Sequence, residues 1–267
     1  MPDPEHYVFL DLSYLVFHRF FAIVSWAKLT KKELSDNEFK DRFAKGFEDY
    51  FLKVKKKLGL KTFKNVYVVS DTSRNLIWRT KIFPDYKKNR DENKQKFDPT
   101  IFAYMHDSVI PNLKTKFEFN EISIVSAEAD DIIAVSCKYI RSTSPCSKIT
   151  IITNDNDFVQ LTLEPVYANV YNASWVDIAG RFNNEMLSVY TEWKVIKGDK
   201  SDNIPAIDKK IGDKVALKLA TNKDLLSKRL ENPVVLKQYN LNKALIDFES
   251  IPVDLVKNIE KALKKVI

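Results

Sequence analysis

Short apolar runs punctuate this chain, and between them lie longer stretches whose apolar residues recur at every third or fourth position. Tyr7–Leu10, Val66–Ser70, Ile122–Ser126 and Lys148–Thr153 are rich in β-branched and aromatic residues and predict short buried strands. Asn37–Leu58, Pro99–Asn112, Ala129–Ile140 and Glu185–Lys197 carry the spacing of helices with one apolar face. Such alternation predicts an α/β fold: a mostly parallel central sheet with helices on both faces. After about residue 180 the strand signals fade, and Pro205, Gly212, Pro233 and Pro252 break up a helical region. The expected organisation is a core over residues 1–180 with a helical part over residues 181–267 packed on it.

Composition removes several function classes. The 267 residues include only five glycines, and no two lie close enough for a Walker loop or a dinucleotide fingerprint. Cys137 and Cys146 form no CxxC pair, and His6, His18 and His106 form no HExxH, so structural zinc, zincin chemistry and a disulfide framework lack raw material. Two thiols, together with Asp3 and Glu5 where a secretory leader would be basic, lead to the expectation of a reducing, cytoplasmic setting. No apolar run approaches the ~18 residues of a membrane span. The formal charge of +7 favours a polyanionic partner.

The acidic residues fall by rule. Asp11 follows the first predicted strand, Asp71 the second, Glu128, Asp130 and Asp131 the third, and Asp155 and Asp157 the fourth. Carboxylates just past the C-terminal ends of parallel strands stand on the edge where open α/β sheets build sites. Asp199 and Asp202 sit in Gly198-Asp-Lys-Ser-Asp-Asn203, a loop after a predicted helix. Taken singly, each acid reads as a turn residue or a helix cap; seven following one topological rule, joined by the two in the loop, read as a cluster of nine. Like charges so gathered repel, and divalent cation is the simplest relief. An all-oxygen donor set selects Mg²⁺ or Mn²⁺ over zinc, and two acidic subsets predict two ions and phosphodiester hydrolysis. With nine of the 36 acidic residues set aside, 27 remain against 43 basic ones, so a basic body surrounds an acidic pit.

Three basic segments follow. Pro84-Asp-Tyr-Lys-Lys-Asn-Arg-Asp91 leads into the polar stretch Glu92–Lys96 and then Phe97, Phe102 and Tyr104. It reads either as a solvated surface element or as a cationic segment over the metals, with Lys87 and Arg90 on the scissile phosphate and Tyr86 against a base. Lys53–Lys64 holds six lysines and reads as the solvated end of a surface helix. Ile207–Arg229 carries seven basic residues around Gly212, where a glycine turn opening a lysine-bearing helix offers backbone amides to phosphate.

Leu10-Asp11, Trp78-Arg79 through Asp85-Tyr-Lys-Lys-Asn-Arg90, Glu128-Ala-Asp-Asp131, Thr153-Asn-Asp-Asn-Asp-Phe158 and Lys197-Gly-Asp-Lys-Ser-Asp-Asn-Ile204 stand in an order and spacing that resemble the structure-specific 5′ nuclease (flap endonuclease) family, most closely its bacteriophage members. The resemblance covers nearly the whole chain. It implies a PIN-like α/β core, a helical arch over about residues 84–120, and a helix–two-turn–helix element on duplex DNA. It further implies a 5′→3′ exonuclease and flap endonuclease that removes RNA primers and flaps during replication by a two-metal mechanism, with Mg²⁺ as cofactor and Mn²⁺ as substitute. Carried over by motif, Asp11, Asp71, Glu128 and Asp130 surround a first metal, and Asp131, Asp155, Asp157, Asp199 and Asp202 serve a second. Lys87 and Arg90, with Tyr86, are the implied catalytic groups. Arg79, Lys88, Lys209, Lys210, Gly212 and Lys214 are the implied nucleic-acid contacts. DNA and RNA–DNA duplexes, 5′ flaps, forks and a phage single-stranded-DNA-binding protein are the implied partners of a monomer acting in a bacterial host's cytoplasm.

Two departures from the family pattern stand out. Ile204-Pro-Ala-Ile-Asp-Lys-Lys-Ile-Gly-Asp-Lys-Val-Ala216 is poorer in glycine than the family's corresponding segment, and Asn156 replaces a glycine between Asp155 and Asp157. A non-catalytic DNA-binding accessory protein of the same fold would predict missing carboxylates, and all nine are present. A haloacid-dehalogenase-type phosphatase would need a second acid where Asp11-Leu-Ser13 has serine.

Overall fold

The computed structural model describes residues 4–90, 98 and 100–267. The expected polar stretch Glu92–Lys96, Phe97 and the middle of the expected arch lie outside the described residues.

Five parallel strands form one sheet: β1 (His6–Asp11), β2 (Val66–Val69), β3 (Asn120–Ile122), β4 (Lys148–Ile152) and β5 (Asn169–Tyr171), in the order β3-β2-β1-β4-β5. Side-chain alternation divides two cores between its faces. Tyr7, Phe9, Tyr67, Val69, Ile149 and Ile151 face α6 (Ala129–Thr143) and the C-terminal helices, while Val8, Leu10, Val66, Val68 and Ile152 face α1 (Leu12–Thr30), α2 (Asp36–Leu58) and α5 (Ile110–Phe117). The sheet is thus covered on both sides, as the apolar runs predict.

Elsewhere α3 (Trp78–Ile82) follows β2, and α4 (Thr100–Tyr104) passes through a π-helical turn, Met105–Val109, into α5. The third strand ends earlier than expected. Asn120–Ile122 pairs with β2, whereas residues 123–126 leave the sheet and Val125 is 71% exposed. The expected helix Glu185–Lys197 is two, α7 (Asn184–Ser188) and α8 (Tyr190–Lys197), separated at Val189. Beyond it come α9 (Asp213–Thr221), α10 (Lys223–Leu230), α11 (Pro233–Ile246) and α12 (Val253–Leu263). Ile207, Leu219, Val235, Phe248 and Ile259 join the same apolar cluster as α6, so the helical part shares the core of the sheet. Among the described residues, no helix is long and apolar enough to cross a membrane.

Candidate active site

Each strand end delivers its acid through a local cap. β1 runs straight into α1, and Asp11 caps that helix by accepting from the Tyr14 N–H at 3.0 Å and from the Thr153 hydroxyl at 2.8 Å. Asp71, past β2, accepts from the Ser13 hydroxyl at 2.5 Å and from the Ala129 N–H at 2.8 Å, which places its charge at the positive end of α6. Asp130 stands in the first turn of α6. Asp155, past β4, caps a short turn through the Asp157 N–H at 2.8 Å.

These four carboxylates line one cavity of about 270 Å³. Burial first, then the charges of Asp71 and Asp155, push the Asp11 carboxyl up to about 7. Burial and Asp155 hold Asp130 well above the usual carboxylate range. Among the described residues, no lysine or arginine stands within ion-pair distance of any of the four. Also among them, no three His, Cys, Asp or Glu side chains converge into a ready metal cage; the acids ring the cavity instead of closing on a point.

The other five acids are compensated by the chain itself. Glu128 and Asp131 form a capping box at the start of α6. The buried Arg79 bridges them, at 2.9 Å from Glu128 Oε2 and 2.8 Å from Asp131 Oδ1, and donates from Nε to the Leu245 carbonyl at 2.8 Å. Trp78 Nε1 donates to Asp131 Oδ2 at 2.9 Å. Lys87 Nζ lies 2.5 Å from Glu128 Oε1 and 3.6 Å from Asp202 Oδ2. Arg90 reaches Asp202 Oδ1 at 2.5 Å. Lys194 lies between Asp157 and Asp199, 2.8 Å from the latter. Burial alone would raise Glu128, but Lys87 and Arg79 overcome it and hold the carboxyl at about 2. Lys194 and the Ser201 hydrogen bonds likewise outweigh burial at Asp199, which sits at about 2.

Divalent cation is the expected relief for the repulsion among the nine acids, and for five of them the chain supplies another. These five are already balanced by Arg79, Lys87, Arg90 and Lys194. Asp131 is fully buried with its oxygens committed to Trp78, Arg79 and the Glu128 N–H. The expectation for Arg79 is corrected: at 3% exposure it is an internal counter-ion and offers nucleic acid no surface. Tyr86 is 4% exposed and presents no face to a base. Its hydroxyl instead donates to Glu128 Oε2 at 3.0 Å and lies 3.2 Å from Asp202 Oδ2. Lys88 is exposed beside Asp85 at 3.1 Å. Lys209, Lys210 and Lys214 are exposed, and Gly212 is the residue before α9.

Two features escape the sequence. Lys194 falls four residues before Gly198, inside a helix pattern that carries no mark of its role. The second is a set of hydrogen bonds between distant segments. The Lys87 N–H donates to the Asp202 carbonyl at 2.9 Å, Asn89 Nδ2 to the Lys200 carbonyl at 2.7 Å, and Asn203 Nδ2 to the Asp85 carbonyl at 2.8 Å.

The model of the 5′-3′ exonuclease N-terminal, resolvase-like domain matches residues 6–196. The ribonuclease H of Enterobacteria phage T4 is 29% identical over 218 residues, covering 74% of this chain and 68% of that protein. A 5′-3′ exonuclease of Buchnera aphidicola is 27% identical over 208 residues, covering 76% of this chain and 67% of that protein. Among solved structures, the T5 5′-exonuclease with zinc bound superposes with a TM-score of 0.69 at 18% identity, over 98% of this chain and 99% of that one. The T5 flap endonuclease in a complex with DNA and metal ions superposes with a TM-score of 0.70 at 18% identity, over the same shares of the two chains. These two likenesses establish the fold, a resolvase-like α/β arrangement shared end to end.

Proposed function

The chain belongs to the 5′-3′ exonuclease family, nucleases that hydrolyse phosphodiester bonds, and from that premise we propose that it is a Mg²⁺-dependent 5′→3′ exonuclease and flap endonuclease acting on the 5′ ends of RNA–DNA and DNA duplexes, removing RNA primers and flaps during replication. The observation that carries the proposal is the cavity lined by Asp11, Asp71, Asp130 and Asp155, four carboxylates that form no ion pair with a lysine or arginine among the described residues.

That donor set fits a hard divalent cation, since no His or Cys lines the cavity. The four acids would hold two Mg²⁺ ions, with Mn²⁺ as substitute; Glu128, Asp157, Asp199 and Asp202 stand behind their own cations as outer partners. Bound there, the metal supplies Lewis acidity toward the phosphate and a more acidic water. Lys87 and Arg90 line the cavity wall and are the groups to orient the scissile phosphate and offset its developing charge. Tyr86 and Arg79 fix Glu128, and through it the Lys87 ammonium. Lys209, Lys210, the Gly212 backbone and Lys214 form an exposed basic edge suited to duplex phosphates, with Lys88 at the rim of the site.

Product analysis on a 5′-labelled DNA flap and on an RNA-primed duplex tests the proposal, with Mg²⁺ and with a chelator. Short 5′-terminal products in Mg²⁺ alone are expected; no hydrolysis of either substrate would overturn it.

A further inference from the structure

α1 and α2 pack as a helical hairpin that leaves the sheet at Asp11. On its flank, Arg19, Trp26, Arg42, Lys45 and Asp49 line a concave pocket of about 340 Å³, three cations against one acid. Arg19 is half-buried, and among the described residues nothing accepts a hydrogen bond from its guanidinium or pairs with it. Burial draws its pKa below the ordinary value, with Asp49 and Tyr50 opposing. A guanidinium carries five N–H donors, so Arg19 is equipped to receive an anionic oxygen.

The helix opposite is shaped around that group. A Cβ on Gly46 would lie 2.5 Å from one terminal nitrogen of Arg19 and 3.0 Å from its Nε. A glycine inside a helix weakens it relative to alanine, and α2 carries one where the Arg19 side chain passes. Arg42 lies over the Trp26 ring, 4.0 Å from its centre, and Lys45 is exposed.

We propose that this pocket is a subsite for the phosphates of an unpaired nucleic-acid strand, outside the cleavage cavity. The inference rests on the nuclease reading above and names a further part of the substrate. α1 is unbroken from Asp11, so Arg19 stands ~12 Å and Trp26 ~22 Å along the helix from the site. The pocket lies on the opposite face of α1 from Ser13, Tyr14 and Phe17, which line the cleavage cavity, so it is a separate part of the surface. The pocket takes a phosphodiester with its sugar, not a duplex. Arg42, held over the Trp26 ring, and Lys45 add positive charge to its lining.

Binding is to be read by fluorescence anisotropy in metal-free buffer on a labelled duplex with and without a short single-stranded extension. Separate arms carry the extension on the 5′ or the 3′ end, as DNA or RNA. The Arg19→Gln/Arg42→Gln double variant is expected to lose about tenfold in affinity for the extended duplex relative to the plain one, and to reduce the salt slope by about one to two phosphate contacts. Gly46→Ala, which displaces the Arg19 side chain, is expected to give the same selective loss with no fall in melting temperature. Equal loss on both duplexes, no loss, or a loss that follows a lowered melting temperature would overturn the subsite. So would equal competition by polyglutamate, which would reassign the pocket to an acidic protein. A wild-type protein that hydrolyses neither duplex in Mg²⁺ would remove the nuclease reading instead, and this binding comparison reads independently of that result.

Discussion

The Lys87 ammonium sits 2.5 Å from Glu128 Oε1, and both side chains are buried. Burial would favour a neutral lysine, but Glu128, Tyr86 and Asp202 hold its pKa well above the ordinary value. Lys87 is thus charged at any working pH and aimed at the cavity wall. Lys87→Ala is expected to lower single-turnover hydrolysis by about 10²–10³-fold, the range for losing one transition-state donor, with a much smaller change in substrate Kd. Loss confined to Kd would make the residue a tether.

Arg79 is the internal counterpart. Removing it leaves Glu128 short of one cation and Asp131 without any, inside the core. Arg79→Ala is expected to destabilise the fold by about 3–5 kcal/mol, the cost of breaking a buried pair, as read by urea unfolding. A variant that kept wild-type stability but lost nucleic-acid affinity would return Arg79 to the binding surface.

Asp155 contributes a charge to the cavity and caps a turn through the Asp157 N–H. Asp155→Asn keeps an oxygen for the cap and removes the charge. Hydrolysis is expected to fall by about three orders of magnitude or more while duplex binding in metal-free buffer survives. Isothermal titration with Mg²⁺ should show weakened uptake, and unaltered uptake would remove Asp155 from the metal set.

Gly198 shapes the loop that carries Asp199 and Asp202. Its φ is +73°, and a Cβ there would collide with the Ile204 and Pro205 carbonyls. Paired backbone hydrogen bonds between Asp199 and Ile204, at 2.9 and 2.7 Å, close the loop. Gly198→Ala is expected to cost about 2 kcal/mol or more through left-handed strain and overlap, with a parallel fall in hydrolysis. An unchanged urea midpoint would contradict this.

His6 and His18 predict the response to acid. Burial, then Lys148, lowers the pKa of His6; burial, then Arg19 and Lys53, lowers that of His18. Each binds fewer protons folded than unfolded, so this contribution to stability is whole above the unfolded value near 6.5 and is lost as pH falls below it through the lowered folded value. Asp11 and Asp130, raised by burial, take up protons in the folded state over the same range and oppose the histidines, so the contribution of His6 is read as a difference: between about pH 7 and pH 5 His6→Gln is expected to lose less melting temperature than the wild type. An identical slope in the variant would exclude His6 as a source.

Much of this molecule is legible from its sequence, for identifiable reasons. Strands buried on both faces announce themselves as apolar runs, which is why β1, β2 and β4 stand close to their expected places. Acids after such strands are legible by topology alone. β3 is displaced because Ile124 and Val125 extend the apolar run past the point where pairing with β2 ends. β5 has only three residues, too few for a pattern. α1 shows no single apolar stripe: Phe17, Phe21 and Leu29 are exposed while Leu15 and Val16 are buried. The counter-ions were hidden for another reason. Lys194 meets Asp157 across 37 positions and Arg90 meets Asp202 across 112, and no local pattern encodes such pairings.

The three hydrogen bonds joining residues 85–89 to residues 200–203 make one mechanical piece of two stretches remote in the chain. Residues 85–89 and the loop bearing Asp202 are held in one register by these bonds. The position of the Lys87 backbone and that of the Asp202 loop are thereby specified together, although 111 to 118 residues separate the bonded groups.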